Sequence, residues 1–399
     1  MTSARYAAFA AGRFLARSEE IAASLSAFYG KLQRTETSLG EAIIAHTAKR
    51  ARQLIQKLGG EAEEPVPGYR SVILDGNMLA GTEHRLEPLR KSRAAALPGK
   101  ALALYECATG LILHAILEED AYSQERALLP AVTLSKGMHL IADRNFCVPG
   151  FLAKVQASKA FFTVRQHRSS LPLESLEILE EKQCIGETST GQVYEQQVQV
   201  TQKEEVYTWR MVTLELHAPT RGGDQQIVLF SNLPSQVSGL AICEAYRQRW
   251  TIENHFQRLT EWLHCEVETL SHPRAALFAF SMSVVAGNLL AIVIASLRAV
   301  HGNDLADNVS YCELADEAGG AYRGMLMALP PTRWEWASQS SVSQMATLLK
   351  RVAEKANPKR LRKTTRKPKP PQRTPNCTNI RHRSTHRVIN NQKTKKKPS

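Results

Sequence analysis

The stretch RSVILDGN, residues 70–77, is a short apolar run that ends at a carboxylate and a turn signal. The run predicts a buried strand, and the Gly-Asn pair after Asp75 predicts a turn. The stretch MHLIADRNF, residues 138–146, has the same form and ends at Asp143. Carboxylates at strand ends can face the crevice where α/β folds bind ligands. The alternative is that each aspartate only begins a turn, as Asp commonly does.

The segments around these two stretches predict the rest of an α/β sheet. Residues 99–120 predict a hairpin around an Ala-Thr-Gly turn, and residues 160–166 predict a fifth strand. Residues 124–137 and 149–159 are predicted helices. This order of elements predicts a mixed sheet flanked by helices.

Composition and periodicity divide the chain into five regions. Residues 1–64 have apolar residues at helical spacing, and residues 65–300 form the α/β domain. Within that domain, residues 166–235 are polar with β alternation, which predicts a β-rich insertion outside the main sheet. Residues 301–356 predict a helical C-terminal region, and residues 357–399 predict a disordered basic tail.

The net charge of +13 is concentrated in the tail, which contains 15 Lys or Arg and no Asp or Glu. The rest of the chain contains the other 36 of the 51 basic residues and all 38 acidic ones, so the body of the chain is close to neutral. Clustered Lys and Arg gain affinity for phosphates by releasing counterions, which predicts a polyanionic partner. A tail that is only solvated is the alternative, and charge alone does not separate DNA from RNA or an anionic membrane.

Cysteine usage and hydropathy indicate a cytosolic protein. The seven cysteines are scattered without a C-x-x-C pair, which disfavours a disulfide framework or a zinc knuckle. No charged segment followed by an apolar core opens the chain, so we expect no secretory signal. Residues 275–297 carry no charge and are long enough to span a membrane. Their serines, Gly287 and Asn288 favour a buried core helix, so we expect no membrane partner.

The stretch YRQRWTIENHFQRL, residues 246–259, lies on a single predicted helix that runs from about residue 241 to residue 263. At about 100° per residue, one arc of about 80° holds five polar side chains: Tyr246, Arg249, Glu253, Gln257 and Thr260. The adjoining stripe is apolar: Ala245, Ile252, Phe256, Leu259 and Leu263. Glu253 therefore lies at the border of the buried face and can reach over a sheet edge. An ordinary surface pair with Arg249, worth roughly a few tenths of a kcal/mol, is the alternative.

Two aspartates and one glutamate are the groups that a two-metal phosphoryl-transfer site requires. Mg²⁺ prefers oxygen ligands and keeps several waters, so a few carboxylates and phosphate oxygens complete its shell. Two such ions stabilise the attacking and leaving oxygens of an in-line displacement. Spacing alone leaves open whether Asp75, Asp143 and Glu253 meet, because Asp and Glu are common residues.

The segment YRQRWTIE resembles the Tyr-Arg-Glu-Lys signature of the DDE transposases of the insertion-sequence-4 family. Tyr246, Arg249 and Glu253 match its first three positions, and Trp250 stands where that family often has Trp. ILDGNML and IADRNF resemble the segments that carry the first and second catalytic Asp. The resemblance covers roughly residues 70–300 and implies an RNase H-like fold with a β-rich insertion.

The resemblance implies a function and a set of site residues. Asp75, Asp143 and Glu253 would be catalytic and would bind two Mg²⁺ ions, with Mn²⁺ as a substitute. Tyr246 and Arg249 would contact DNA phosphates, Arg249 through its bidentate fork. The implied partner is double-stranded DNA, at element ends and at the target, bound by a homodimer in a prokaryotic, nucleoid-associated cytoplasmic setting. Family members often pass through a hairpin intermediate.

Aromatic and basic side chains predict further DNA contacts. Trp209, on one face of the predicted strand EEVYTWRMVTLEL, could stack on an unpaired base, and packing against the sheet is the alternative. Arg258 is a second predicted DNA-binding residue. A basic loop before LPGK either contacts phosphate or is only solvated: Arg85, Arg90, Lys91 and Arg93. His84 and His255 are interpreted as surface or core histidines, because hard cations prefer oxygen.

One position departs from the family pattern, which has Lys seven residues after the Glu. Here that position is Thr260, and a lost cation would weaken strand positioning unless Arg258 or the tail compensates. Residues 1–64 are short for an end-binding domain, which leaves an incomplete reading frame as one interpretation. Two alternatives to an active transposase stay open. One is a decayed transposase that only binds DNA, and the other is a structural protein whose three carboxylates never meet.

Overall fold

The structure is a computed structural model that describes residues 24–79, 99–120, 123–220, 222–265 and 272–364. Its centre is a ten-stranded sheet. The first five strands are β1 Arg70–Met78, β2 Lys100–Glu106, β3 Leu111–Glu118, β4 Met138–Ala142 and β5 Phe161–Arg165. The next five are β6 Glu177–Ile178, β7 Gln183–Thr188, β8 Gly191–Gln202, β9 Glu205–Leu216 and β10 Gln226–Ser231.

The first five strands form the central part of the sheet in the order β3-β2-β1-β4-β5. β1, β2 and β3 are antiparallel neighbours, and β1, β4 and β5 are parallel neighbours. Three antiparallel strands followed by two parallel ones, with helices against the sheet, make an RNase H-like mixed α/β architecture. The predicted fold class is therefore confirmed.

β1 extends further than the sequence predicts. The strand continues past Asp75 to Met78, where β2 supplies pairing partners and Asn77 lies opposite Ala101. The predicted Gly-Asn turn is therefore wrong, because the neighbouring hairpin strand keeps these residues extended. Asp75 is a residue of the strand itself, near its carboxyl end.

The prediction that the β-rich insertion lies outside the main sheet is also wrong. β10 pairs with β5, with Phe230 opposite Val164, and β9, β8 and β6 extend the same sheet. Period-two alternation identifies a strand but not the strand with which it pairs. The edge of β5 would leave backbone N–H and C=O groups unpaired, and β10 satisfies them.

Two N-terminal helices, α1 Leu25–Arg34 and α2 Thr37–Leu58, lie within the region that was predicted to be helical. α2 ends at Gly59, whose φ of 65° lies in the left-handed region that glycine adopts without strain. The central helices are α3 Pro149–Ala157, α4 Gly239–Arg247, α5 Trp250–Glu261 and α6 Pro273–His301. The C-terminal helices are α7 Asn303–Asp307, α8 Tyr311–Ala328, α9 Glu335–Gln339, α10 Val342–Glu354 and α11 Pro358–Leu361.

α6 is the one helix among the described residues that is long and apolar enough to cross a membrane. Half of its most apolar window is buried inside the structure. The Asn288 side chain accepts a hydrogen bond from the backbone N–H of Ile112 on β3 and donates one to its carbonyl oxygen. These contacts make α6 a helix of the core, as its Asn and small residues predict.

Two local predictions differ from the structure. Residues 124–137 do not form an α-helix but contain the 3₁₀ helix Glu125–Ala131, because Pro130 lacks the N–H that an α-helix requires. The prediction of disorder from residue 357 is wrong for the first residues of the tail, because α11 is helical and Arg362 forms a β-bridge with Val309. The rest of the tail, from residue 365, lies outside the described residues.

The two faces of the sheet bury separate hydrophobic clusters. Leu74 of β1 belongs to one cluster, and its neighbour Ile73 belongs to the other, together with Ile252 and Phe256 of α5. Side chains alternate along a strand, so Asp75 lies on the same face as Ile73. This face, covered by α4 and α5, carries the site described next.

Candidate active site

The two predicted aspartates follow one another at the carboxyl edge of the parallel pair β1–β4. Leu74 lies opposite Ala142, so Asp75 and Asp143 are the next residues of two neighbouring strands. Ile141, two residues before Asp143, packs in the same cluster as α5. By alternation, both aspartates face the side of the sheet that α4 and α5 cover.

The predicted helix of residues 241–263 is in fact two helices, α4 and α5, separated by Gln248 and Arg249. The backbone stays near helical angles, but the N–H of Arg249 donates to the carbonyl of Tyr246 at 3.0 Å, a 3₁₀-type bond. Tyr246 therefore lies in the last turn of one helix, and Glu253 lies in the next helix. The single-helix prediction is wrong. The break could not be predicted from local sequence, because no Gly or Pro lies at or near it.

Arg249 joins two of the predicted carboxylates. Its Nη1 lies 2.7 Å from Oε1 of Glu253 and 3.0 Å from Oδ2 of Asp75. Arg249 is only 6% exposed, and its contact with the largely buried Asp75 is more desolvated than its contact with Glu253, whose side chain is 40% exposed. The structure thus brings Asp75 and Glu253 together, and the contact is more than a surface pair within one helix.

Asp75 has the most perturbed carboxyl group of this edge. Burial raises its pKa to about 7, and the negative charges of Glu253 and Asp143 act in the same direction. Arg249 and the N–H of Gly76 favour the ionised form but do not outweigh burial. Three carboxylates whose charges act on each other are therefore concentrated at one sheet edge.

Asp143 is partly exposed and is held by the backbone that follows it. Its Oδ1 accepts a hydrogen bond from the N–H of Arg144 at 2.6 Å, which caps the short 3₁₀ helix Arg144–Phe146. The turn interpretation of this aspartate is therefore correct. Asp143 also lies beside Asp75, as the resemblance to the transposases implies. The other carboxylate oxygen is not used by this cap.

The donor set fits divalent cations in its chemistry. Mg²⁺ and Mn²⁺ prefer carboxylate oxygens, and a cation would favour the ionised form of Asp75, which burial and the charges of Glu253 and Asp143 disfavour. Within the described residues, no group of three or more His, Cys, Asp or Glu side chains is arranged to hold a metal ion. Instead, the guanidinium of Arg249 balances the charges of Asp75 and Glu253.

Tyr246 lies beneath the same edge and contacts Arg249. Burial, and then the nearby charge of Asp143, raises the pKa of the Tyr246 hydroxyl above its usual range, so the group stays protonated. The positive charge of Arg249 acts against this rise without outweighing burial. The three matched residues of the signature therefore lie close to one another at this edge.

Trp209 does not occupy a position where a base could reach it. The residue is 1% exposed, its ring packs edge-on against Phe162 at 5.2 Å, and its Nε1 donates to Oε1 of Gln156 at 2.8 Å. The predicted base-stacking role is wrong, and the packing alternative is correct. β9 is an internal strand of the sheet, and a helix covers this face.

Trp250 is an exposed aromatic residue beside the carboxylates, and it is not among the DNA contacts predicted from the sequence. Trp250 is 59% exposed, and the guanidinium carbon of Arg249 lies 4.7 Å from its ring centroid. The signal was present in the sequence. On the helical wheel Trp250 lies about 100° from Arg249, away from the apolar stripe.

Arg258 and Thr260 do not contact the carboxylates. Arg258 stacks over Tyr311, 5.3 Å from the ring centroid, on another side of α5. Thr260 is exposed, and its hydroxyl donates to the carbonyl of Phe256 at 3.1 Å. His255 is a core histidine, as interpreted. Burial lowers the pKa of its ring to about 3.

A basic cleft of about 690 Å³ opens next to Asp143. Arg144, Arg165 and Arg168 line it, and Asp224 pairs with Arg165 at 2.7 Å. The cleft was not predicted from the sequence, because Arg144 follows β4 and Arg165 ends β5, and these segments meet only when β4 and β5 pair. His84 and the predicted basic loop of Arg85, Arg90, Lys91 and Arg93 lie outside the described residues.

Among solved structures, this chain is similar to a piggyBac transposase, determined by cryo-EM as a synaptic complex with hairpin DNA. The sequence identity is 11%, the TM-score is 0.32, and the match covers 55% of this chain. The match covers 48% of that chain, so this chain spans about half the length of that transposase. No curated protein matches.

A protein-family model described as a transposase DDE domain matches residues 67–289. That range is more than half of the 399-residue chain and contains Asp75, Asp143, Tyr246, Arg249 and Glu253. The chain therefore belongs to the family of transposase DDE domains.

Proposed function

We propose that the chain is a transposase of the insertion-sequence-4 type, which cleaves DNA at element ends and transfers the strand to target DNA. The observation that carries this proposal is the meeting of Asp75 and Glu253 on Arg249. This meeting occurs at the sheet edge where Asp143 follows β4. The third class considered from the sequence, a structural protein with separated carboxylates, does not have this geometry.

The three carboxylates have defined roles in the proposal. Asp75, Asp143 and Glu253 would hold two Mg²⁺ ions, or Mn²⁺ in their place. When bound, such ions supply an activated water or 3′-hydroxyl and stabilise the leaving oxygen. The chain itself supplies position, because strand register fixes both aspartates and α5 fixes Glu253. Arg249 keeps the carboxylate charges close together before a ligand arrives.

DNA is the proposed partner, and two features of the site would bind it. The cleft beside Asp143 presents Arg144, Arg165 and Arg168, which suit phosphates. Trp250 presents an open aromatic face, which suits an unpaired base near the cleaved bond. Phosphate contacts would position the strand, and a stacked base would hold its end next to the carboxylates.

The assembly and location follow from the same proposal. The partner is double-stranded DNA, both at element ends and at the target, and we propose that a homodimer binds it. The setting is the nucleoid-associated cytoplasm of a prokaryote, without a membrane partner. The basic tail would add sequence-independent affinity for DNA.

The decisive experiment is a nicking assay with Mg²⁺ on DNA that contains an element end. Asp75→Asn, Asp143→Asn and Glu253→Gln should each reduce cleavage below detection while DNA affinity changes little. An amide keeps the side-chain shape but removes the charge that a metal ion requires. Gel-shift affinity and thermal unfolding are measured on the same preparations.

Glu244→Gln is the matched control, because Glu244 is an exposed carboxylate on α4 that pairs with Arg247. It should cleave like the wild type. Mg²⁺-dependent nicking by any of the three site variants would remove that residue from the proposed site. DNA binding by a wild-type chain that does not cleave would instead support a decayed transposase.

A further inference from the structure

A second cavity lies on the side of α5 that faces away from Glu253. Its volume is about 400 Å³, within the range of small-ligand pockets. The walls are α5, the β2–β3 turn, α6 and the segment from α7 to residue 363. The side chains that matter here are Tyr105, His255, Arg258, Arg298, Tyr311 and Lys363. Glu253, Asp75 and Asp143 do not line it.

The lining has more positive than negative charge. Arg258, Arg298 and Lys363 face one carboxylate, that of Asp307, which pairs with Arg298 at 2.9 Å. The guanidinium of Arg258 stacks on Tyr311 and has no hydrogen bond or ion pair among the described residues. Arg258 lines the cavity, and no other described residue uses its side-chain N–H donors.

Lys363 adds a second cation near Arg258. Its Nζ donates to the backbone carbonyl of Asp307 at 2.9 Å. Burial lowers the pKa of Lys363, and the charge of Arg258 lowers it further. Two cations that repel each other across a partly buried space are stabilised when an anion binds between them.

Three buried polar atoms at this cavity have no hydrogen-bond partner within the described part of the chain: His255 Nε2, Tyr311 Oη and Arg298 Nε. His255 is 4% exposed and Tyr311 is 7% exposed. The two side chains converge over Gly287, because a Cβ placed there would lie 3.5 Å from His255 Nε2 and 3.4 Å from Tyr311 Oη. Buried polar groups are normally paired, so these atoms indicate a missing polar ligand.

We propose that this cavity binds a phosphate group. Arg258 and Lys363 would form the charge-assisted contacts, and Tyr311 Oη and His255 Nε2 would hydrogen-bond to the remaining oxygens. Water alone would pair the polar atoms but would not neutralise the two adjacent cations. The phosphate has two possible sources, a free nucleotide or a backbone phosphate of bound DNA, and the experiment distinguishes them. The proposal does not depend on the carboxylate site.

The test is calorimetric titration of the full chain with inorganic phosphate and with a nucleoside monophosphate at moderate salt. Arg258→Gln and Lys363→Gln should each weaken binding roughly tenfold or more, since each removes a hydrogen bond to a charged group. Tyr311→Phe should also weaken binding while the cavity shape is kept. Arg351→Gln is the matched control, because Arg351 is an exposed arginine on α10 that does not line the cavity.

Duplex binding at several salt concentrations identifies the source. If DNA supplies the phosphate, Arg258→Gln should flatten the slope of log affinity against log salt by about 0.9, and the nucleotide should compete with DNA. If a free nucleotide is the ligand, the slope should stay unchanged while nucleotide affinity falls.

Thermal unfolding of each variant separates loss of binding from loss of structure. Lys363 is exposed and Tyr311→Phe removes one oxygen, so at least these two variants are expected to fold. The proposal is overturned if the wild type binds no phosphate and Arg258→Gln leaves the salt slope unchanged. Equal phosphate affinities for the wild type, Lys363→Gln and Tyr311→Phe would overturn it as well.

Discussion

Trp and Arg are adjacent in the sequence at two places in this molecule, and the two tryptophans differ in their exposure to solvent. On β9, Trp209 is buried against Phe162, and Arg210 beside it is buried as well. At the start of α5, Arg249 is buried, but Trp250 beside it is exposed to solvent. Both pairs combine a large aromatic ring with a guanidinium, so residue type alone does not distinguish them.

The two arginines also differ in their hydrogen-bond partners. Arg210 pairs with Glu195, and its Nη1 donates to three backbone carbonyls: those of Leu233, Pro234 and Val237. Arg249 pairs with the carboxylates of Asp75 and Glu253, and its Nε has no partner among the residues that the structure describes. An arginine bound to backbone carbonyls fixes a chain segment in place. An arginine between carboxylates, with a donor to spare, can exchange its partners for a ligand.

The largest difference between the two pairs should appear in fold stability. Trp209→Ala should lower the free energy of unfolding by about 3–5 kcal/mol, because it empties a buried site and leaves Gln156 without its hydrogen bond. Trp250→Ala should change the same quantity little, because the ring is exposed. Urea denaturation of both variants measures the effect. Similar losses for the two would mean that Trp250 also packs in a core.

Asp75 is a buried ionisable group, whereas Trp209 is buried in the apolar core, so only Asp75 should make fold stability depend on pH. Folding raises the pKa of Asp75 from 3.8 to about 7, so the folded chain holds this proton more tightly than the unfolded chain. The stabilisation is complete below about pH 4 and is lost as the pH rises through 7. Relative to Asp75→Asn, wild-type stability should therefore decrease across this range, by an amount on the order of a few kcal/mol.

Urea denaturation between pH 5 and pH 8 in the presence of a chelator tests this expectation, because bound cations would hold Asp75 ionised. Trp209→Phe is a useful companion variant, since its effect on stability should not depend on the ionisation of Asp75. A stability difference between wild type and Asp75→Asn that is constant over this range would contradict the raised pKa.

The sequence predicted the parts of the fold and site that local patterns determine. The apolar runs before Asp75 and Asp143 predicted two strands, and their carboxyl ends meet because β1 and β4 are parallel in register. The apolar stripe next to Glu253 predicted the face that α5 buries. The partner of β10, the break at Arg249 and the burial of Trp209 depend on contacts between distant segments, which local periodicity does not contain.

DNA affinity should depend on Trp250 and not on Trp209, the reverse of what is expected for fold stability. Trp250→Ala should weaken binding to end DNA with an unpaired base by about 1–3 kcal/mol, because one stacking contact is lost. Trp250→Phe should restore part of this affinity, and Trp209→Phe should leave it unchanged. Fluorescence anisotropy with paired and unpaired ends measures the effect. An equal loss on both ends would indicate that Trp250 contacts the backbone and not a base.

The smallest expected effect concerns Thr260, the position at which the family pattern has Lys. Thr260 is seven residues after Glu253, so it lies about 20° from Glu253 on the helical wheel and about two turns further along α5. The residue is exposed, so a lysine there can extend along the carboxylate face without displacing core side chains. Arg258 does not compensate for the missing cation, because it stacks on Tyr311.

Thr260→Lys should therefore increase the single-turnover nicking rate by about twofold to fivefold, the effect of one exposed charge contact. Thr260→Gln has similar length without the charge and should cleave at the wild-type rate. Uncut and precut ends are compared, because a cation that positions the strand should matter more before the first cut. An unchanged rate for Thr260→Lys on both substrates would show that this position does not limit the reaction. The cations of the cleft at Arg144 and Arg165 would then be sufficient to position the strand.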